Sequence, residues 1–162
     1  YGENISDAET LRARMYAKKE EIVQKDGFPQ IPGVKEAIKR LHDEGFRLEV
    51  ASSSAGYYIG RVLDALEIRQ YFECYTSGEE VEHPKPAPDT FLRAMEKLNL
   101  KPEDCIIVED STNGGKAAAV AGAKCVWFHN PDSGDQQIPH AVLTITSWSP
   151  ENVDKLIDLM HA

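Results

Sequence analysis

From Gly33 onward the chain alternates between short apolar runs and stretches whose apolar residues recur at helical spacing. This alternation is the strongest constraint on the fold. A short apolar run bounded by polar or small residues suits a strand buried on both faces. Such a strand needs cover above and below, and a helix between successive strands sets them parallel. Val34, Ile38 and Leu41 mark a helix that ends at Gly45. Residues 46–51 read as a strand and residues 52–56 as a polar turn. Ile59, Val62, Leu63 and Leu66 mark a second helix, and residues 71–76 a weaker strand. Residues 88–98 form a helix behind a proline-rich turn, with Phe91, Met95 and Leu98 on one face. The run 105–108 suits a buried parallel strand, and 113–121 an alanine-rich helix closed by Gly122. Residues 124–128 read as the next strand, and 141–145 as an edge strand. Ser149-Pro150 is a cap and first-position pair for a last helix ending near Met160. The fold class expected is α/β: one doubly wound, Rossmann-like, mostly parallel sheet with helices on both faces.

The residues before Gly33 follow another pattern. Ser6 and Glu9 form a capping box, and Leu11, Met15, Ile22 and Val23 follow at roughly helical spacing up to Gly27. One amphipathic helix over residues 6–26 is expected. Pro29 and Pro32 stiffen the connection that follows. The chain thus divides into a helical piece, residues 1–30, and a core, residues 31–162.

The charge balance narrows the function classes. There are 27 acidic residues against 18 basic ones, a net charge of −9, with no basic stripe. That argues against a nucleic-acid partner. No apolar run reaches the length of a membrane span, and no signal-peptide pattern opens the chain. A cytoplasmic protein that works as a monomer, away from membranes, is expected. Cys74, Cys105 and Cys125 lie far apart, and two of them fall in strand-like runs. They read as buried free thiols of a reducing compartment, and their spacing does not suit zinc.

In open α/β sheets, ligands bind beyond the carboxyl ends of the strands. Three strand ends carry suggestive groups. Ser52-Ser53-Ser54 offers hydroxyls and turn amides that can hold a phosphate, or that simply cap a helix. Lys85 stands between Pro84 and Pro86, where a stiff backbone can aim an ammonium at a fixed anion or leave it in solvent. Glu109-Asp110 ends the run Ile106-Ile107-Val108, and a small-residue turn follows. Adjacent carboxylates repel, and a cation relieves that repulsion. Oxygen donors suit Mg²⁺, which keeps several waters and takes few protein carboxylates. The competing reading makes Asp110 or Ser111 a helix cap and Glu109 a surface charge.

The order of these three motifs resembles the haloacid dehalogenase superfamily of phosphatases and phosphomutases, in particular its members with a small helical cap. Leu48-Glu-Val-Ala-Ser-Ser-Ser54 carries the likeness, with Lys85-Pro-Ala-Pro-Asp-Thr-Phe91 and Val108-Glu-Asp-Ser-Thr-Asn-Gly-Gly-Lys-Ala-Ala118. Pro32-Gly33-Val34 and Ala121-Gly122-Ala123 match as well. The resemblance implies a phosphoryl-transfer enzyme acting on a small phosphorylated metabolite, through an aspartyl-phosphate and with Mg²⁺ as cofactor. It implies that Ser52, with the Ser53 amide beside it and Ser54 behind, binds phosphate oxygens. It gives Lys85 the catalytic task of neutralising charge on phosphate and nucleophile, and Glu109 and Asp110 the task of holding Mg²⁺.

The sequence departs from the family in two respects, the larger being an absence. The first family motif, an apolar strand followed by Asp-x-Asp-Gly, occurs nowhere in the 162 residues. Asp132-Ser-Gly-Asp135 follows no such strand and comes after the third motif. The core is therefore expected to lack its first, central strand, and further N-terminal residues with Asp-x-Asp are expected before Tyr1. Residues 1–30 would be the later part of the cap. They lack an arginine soon after a Gly-x-Ser/Thr turn, since the first arginine is Arg12. Arg12, Arg14 and Lys18 read as a solvated helix face. That favours a sugar-phosphate phosphatase over a β-phosphoglucomutase-like isomerase. A third reading is an inactive fragment that only binds phosphate or Mg²⁺.

Overall fold

The structure, a computed structural model, describes residues 8–162. It divides into two compact units, Tyr1–Gln30 and Ile31–Ala162. Among the described residues of the first unit one helix, α1, spans Ala8–Asp26. Gly27 closes it by donating its amide to the Val23 carbonyl at 2.9 Å. Ser6 and the side chains of Glu9 and Arg12, and with them the capping box, lie outside the described residues. Of its apolar positions, Leu11, Met15 and Ile22 are exposed and Val23 is half-buried.

The second unit carries the alternation read from the sequence. Its elements are α2 (Val34–Asp43), β1 (Glu49–Ser52), α3 (Gly56–Ala65), β2 (Cys74–Ser77) and α4 (Asp89–Leu98). Then come β3 (Ile106–Glu109), α5 (Thr112–Ala121), β4 (Lys124–Phe128), β5 (Leu143–Ile145) and α6 (Pro150–His161). The strands are parallel, as expected for an α/β protein. Among the described residues the strands fall into two sheets. β1 pairs only with β2, and β3, β4 and β5 form a second sheet in that order.

Helices cover both faces because alternate strand residues point opposite ways. Val126 and Phe128 of β4 join Ala37, Leu41, Ile145, Val153 and Leu156 in one buried cluster. Cys125 joins Ile107, Phe91, Met95, Ala117 and Ala118 in another. Burial pushes the Cys125 thiol up to about 11. Small side chains on α5 allow close packing, and Ala117 and Ala118 are fully buried. A third cluster, Ile59, Leu63 and Ile68, seats α3 against β1 and β2.

Between the two sheets lies a slot of about 570 Å³. The free edges of β1 and β3 form its sides, through Val50, Ala51, Ile106 and Ile107. Phe91 and Met95 of α4 line it, as do Ile38 of α2 and Leu156 of α6.

A half-buried carboxylate sits at the start of β1. Glu49, in β1, accepts a hydrogen bond from the Thr76 hydroxyl at 2.5 Å. Its burial holds the carboxyl above the usual 4.5, against the pull of Thr76, Cys74 and Lys97. A raised folded-state pKa means the unfolded chain ionises first, so stability falls as pH rises from about 4.5 through the folded value. Glu49→Gln should therefore be more stable than wild type in urea unfolding at pH 7, and the difference should vanish near pH 4. Equal stability at both pH values would show that the buried carboxylate costs nothing.

Candidate active site

The carboxyl ends of β1 and β3 meet at Lys85. Its ammonium donates to the Ala51 carbonyl at 3.1 Å and to Oε1 of Glu109. It also lies 4.2 Å from the centre of the Phe91 ring. The side chains of Lys85 and Glu109 are each only 9% exposed. A lysine buried to this degree needs a carboxylate partner, and removing either member strands a charge. The loop between Pro84 and Pro88 therefore aims Lys85 inward, where the sequence left an exposed alternative open.

Glu109 is held on its second oxygen as well. Oε2 accepts from the amides of Asp110 and Ser111, both at 3.2 Å, and from the Ser111 hydroxyl at 3.0 Å. Ser111, not Asp110, caps α5, accepting from the Gly114 amide at 3.0 Å. Gly114 makes room for this arrangement, because a Cβ there would stand 2.0 Å from the Glu109 carboxyl carbon. Asp110 takes a different partner: its Oδ2 accepts from the Ser133 hydroxyl. Oδ1 takes no hydrogen bond from the described residues.

The serine turn is split between two tasks. Ser52 is the last residue of β1, and its hydroxyl accepts from the Ser54 amide at 3.1 Å. The Ser54 carbonyl accepts from the Ser77 hydroxyl at 2.7 Å. Ser54 thus fastens the turn to β2. Ser53 is exposed, and the tight approach of Gly78 backs its main chain. The first amide of α3, Gly56, donates to Glu79 at 3.1 Å. That carboxylate covers the helix start which the sequence offered to a phosphate. Ser52, Lys85, Glu109 and Asp110 lie at the carboxyl ends of β1 and β3, and the main chain of Ser54 is held by Ser52 and Ser77.

Sequence reasoning missed two residues here. Glu79 fills the α3 start, and Ser133 reaches Asp110 from the loop after β4. A polar residue in a loop carries no local signal of such a partner. The donor set fits a cation such as Mg²⁺: all its atoms are oxygens, and Asp110 has one to spare. Among the described residues no three His, Cys, Asp or Glu side chains come together as a metal cluster. Such a site leaves most positions on the ion to water and substrate, as Mg²⁺ prefers.

The Gly114 contact is testable by stability. Gly114→Ala should cost about 1–3 kcal/mol, as overpacking does. Paired with Glu109→Ala, it should cost much less, because the clash is gone. Additive costs in that double-mutant cycle would show that the two residues do not meet.

The chain is similar in sequence and fold to known proteins. The family model for haloacid dehalogenase-like hydrolases matches residues 2–128. Protein CbbY of Rhodobacter capsulatus is 33% identical over 157 residues, covering 91% of this chain and 68% of the relative. Hexitol phosphatase B of Escherichia coli K12 is 31% identical over 115 residues, covering 71% of this chain and 51% of the relative. The chain spans about half the length of several curated relatives it matches. Among solved structures, CbbY from Rhodobacter sphaeroides in complex with phosphate superposes with a TM-score of 0.78 at 23% identity. That match covers 93% of this chain and 68% of the other, and it shows the shared fold. No described helix is long and apolar enough to cross a membrane. The serine turn, the buried lysine and the paired carboxylates thus stand on a fold and sequence shared with these proteins, and the chain belongs to the haloacid dehalogenase-like hydrolases.

Proposed function

We propose that the protein is a Mg²⁺-dependent phosphatase of small phosphate monoesters, sugar phosphates being the favoured class. The observation that carries this reading is the buried Lys85 ammonium. It lies at the ends of β1 and β3, beside Ser52 and Glu109-Asp110. A phosphoryl transition state asks for fixed positive charge and orientation more than for covalent help. Lys85 would supply the charge. The Ser52 hydroxyl and Ser53 amide would donate to the non-bridging oxygens. Asp110 would hold the cation through Oδ1, and Glu109 would hold Lys85 and the turn around Asp110. When bound, Mg²⁺ would neutralise charge on the phosphate.

The attacking carboxylate is not among these residues. The slot between β1 and β3 supports a place for it. Two parallel edges with unpaired backbone groups, covered by helices on both sides, can take one more parallel strand. A strand seated there would end between Ala51 and Glu109, facing Lys85. An aspartate at that end would attack phosphorus as the ester P–O bond breaks and the alcohol leaves, protonated by the second aspartate of Asp-x-Asp, to give an aspartyl-phosphate. Water would then break its acyl O–P link and release inorganic phosphate. Residues 1–30 would be the later part of a cap, and residues 31–162 the core around that strand. The name of hexitol phosphatase B and the phosphate held by CbbY support the substrate class.

The experiment is phosphate release from a panel of sugar phosphates. The 162-residue chain alone should give none, and a chain extended by an apolar strand ending in Asp-x-Asp should give turnover that needs Mg²⁺. In that extended protein Asp110→Asn should lower kcat by about 10³-fold, several kcal/mol of lost charge stabilisation. Lys85→Met should lower it by about 10²–10³-fold. Turnover by the mass-verified 162-residue chain would overturn the missing-nucleophile reading. Isomerised sugar phosphate without phosphate release would replace the phosphatase with a mutase.

A further inference from the structure

The connection from β4 to β5 is bound to the start of α5 along its length. The Ser133 hydroxyl donates to Oδ2 of Asp110. Oε1 of Gln136 accepts from the Thr112 amide at 2.8 Å, and the Gln137 amide donates to the Thr112 hydroxyl at 2.9 Å. Nε2 of Gln136 donates back to the Ser133 carbonyl at 3.0 Å. The Ser133 amide donates to the Asn130 carbonyl at 3.1 Å. Ile138, only 4% exposed, anchors the far end of the loop. It sits so close to α5 that a Cβ at Gly115 would meet it at 2.6 Å.

Ser133 is therefore fixed from both sides of its own peptide, and its hydroxyl has a fixed direction. It occupies one oxygen of Asp110 and leaves the other. A hydroxyl donating to one carboxylate oxygen takes up a lone pair there and fixes the rotation of the group, which favours ligation of a cation through the other oxygen alone over ligation by both. Mg²⁺ keeps a tight six-fold shell, whereas Ca²⁺ accepts six to eight ligands and readily takes both oxygens of a carboxylate.

We infer that Ser133 is a positioning residue that restricts Asp110 to one-oxygen ligation and so makes the site prefer Mg²⁺ over Ca²⁺. The inference rests on the proposed cation-holding role of Asp110. Its direct probe is binding, not activity. The amide resonances of Asp110 and Ser111 can be followed in the 162-residue protein during separate titrations with MgCl₂ and CaCl₂. Ser133→Ala should shift the ratio of the two dissociation constants toward Ca²⁺ by about tenfold, the size typical of a lost partner behind a metal ligand. Ser133→Thr keeps the hydroxyl and should restore the wild-type ratio. Gln136→Ala loosens the same loop without touching Asp110 and should shift the ratio the same way, which keeps the test open if Ser133→Ala fails to fold. A merely structural Ser133 would weaken both cations equally and leave the ratio unchanged, which would overturn the inference and leave Mg²⁺ binding intact. Loss of every Mg²⁺-dependent shift in wild type, or shifts that survive Asp110→Asn, would overturn the cation-holding role itself, and the inference with it.

Discussion

The buried ion pair between Lys85 and Glu109 is the contact on which the site depends. It joins two strands that share no hydrogen bond, because Lys85 also holds the Ala51 carbonyl at the end of β1. Two charges in such a place are costly unless each is fully satisfied. Both are: the carboxylate takes two amides and a hydroxyl besides the ammonium, and the ammonium faces a carbonyl and an aromatic ring. The arrangement therefore fixes a positive charge at the sheet end before any ligand arrives. Preorganised charge of this sort lowers a phosphoryl-transfer barrier without reorganisation during the reaction.

Around this pair, backbone and side chains divide the labour. Gly114 is bare so that Glu109 can lie against α5, and Ser111 caps that helix while bonding the same carboxylate. Ser52 and Glu109 thus come from strand ends, and Lys85 reaches them from the loop between Pro84 and Pro88. Rigid elements behind a site place its groups more accurately than loops can.

The fold was legible in the sequence because strands buried on both faces show as apolar runs between helices of clear period. The run after Lys124 matches β4 residue for residue. Where the reading drifted, pairing decided the outcome. Residues 46–48 are apolar enough for a strand, yet the ladder begins at Glu49 opposite Cys74 and carries Ser52 into β1. Register is a property of two segments, and one segment alone does not show it. The motif order led to a core read without its central strand, and the strands fall into two sheets, β1 with β2 and β3 with β4 and β5. In the site, Lys85 and Glu109 stood out singly, but nothing local announced that they are partners. Ser133 and Glu79 were invisible for the same reason: each is an ordinary loop residue until the fold brings it to its target.

The slot also bears on how the protein behaves in company. Each of its rims is an unpaired strand edge, and such an edge is a template for any extended chain that reaches it. Helices shield the slot above and below, so only a segment arriving along the strand axis fits. Repulsion between copies is the other guard, since every copy carries a net charge of −9. Salt weakens that repulsion beyond about 8 Å at physiological ionic strength. The colloidal stability of this chain thus depends on ionic strength and on whether the slot is filled.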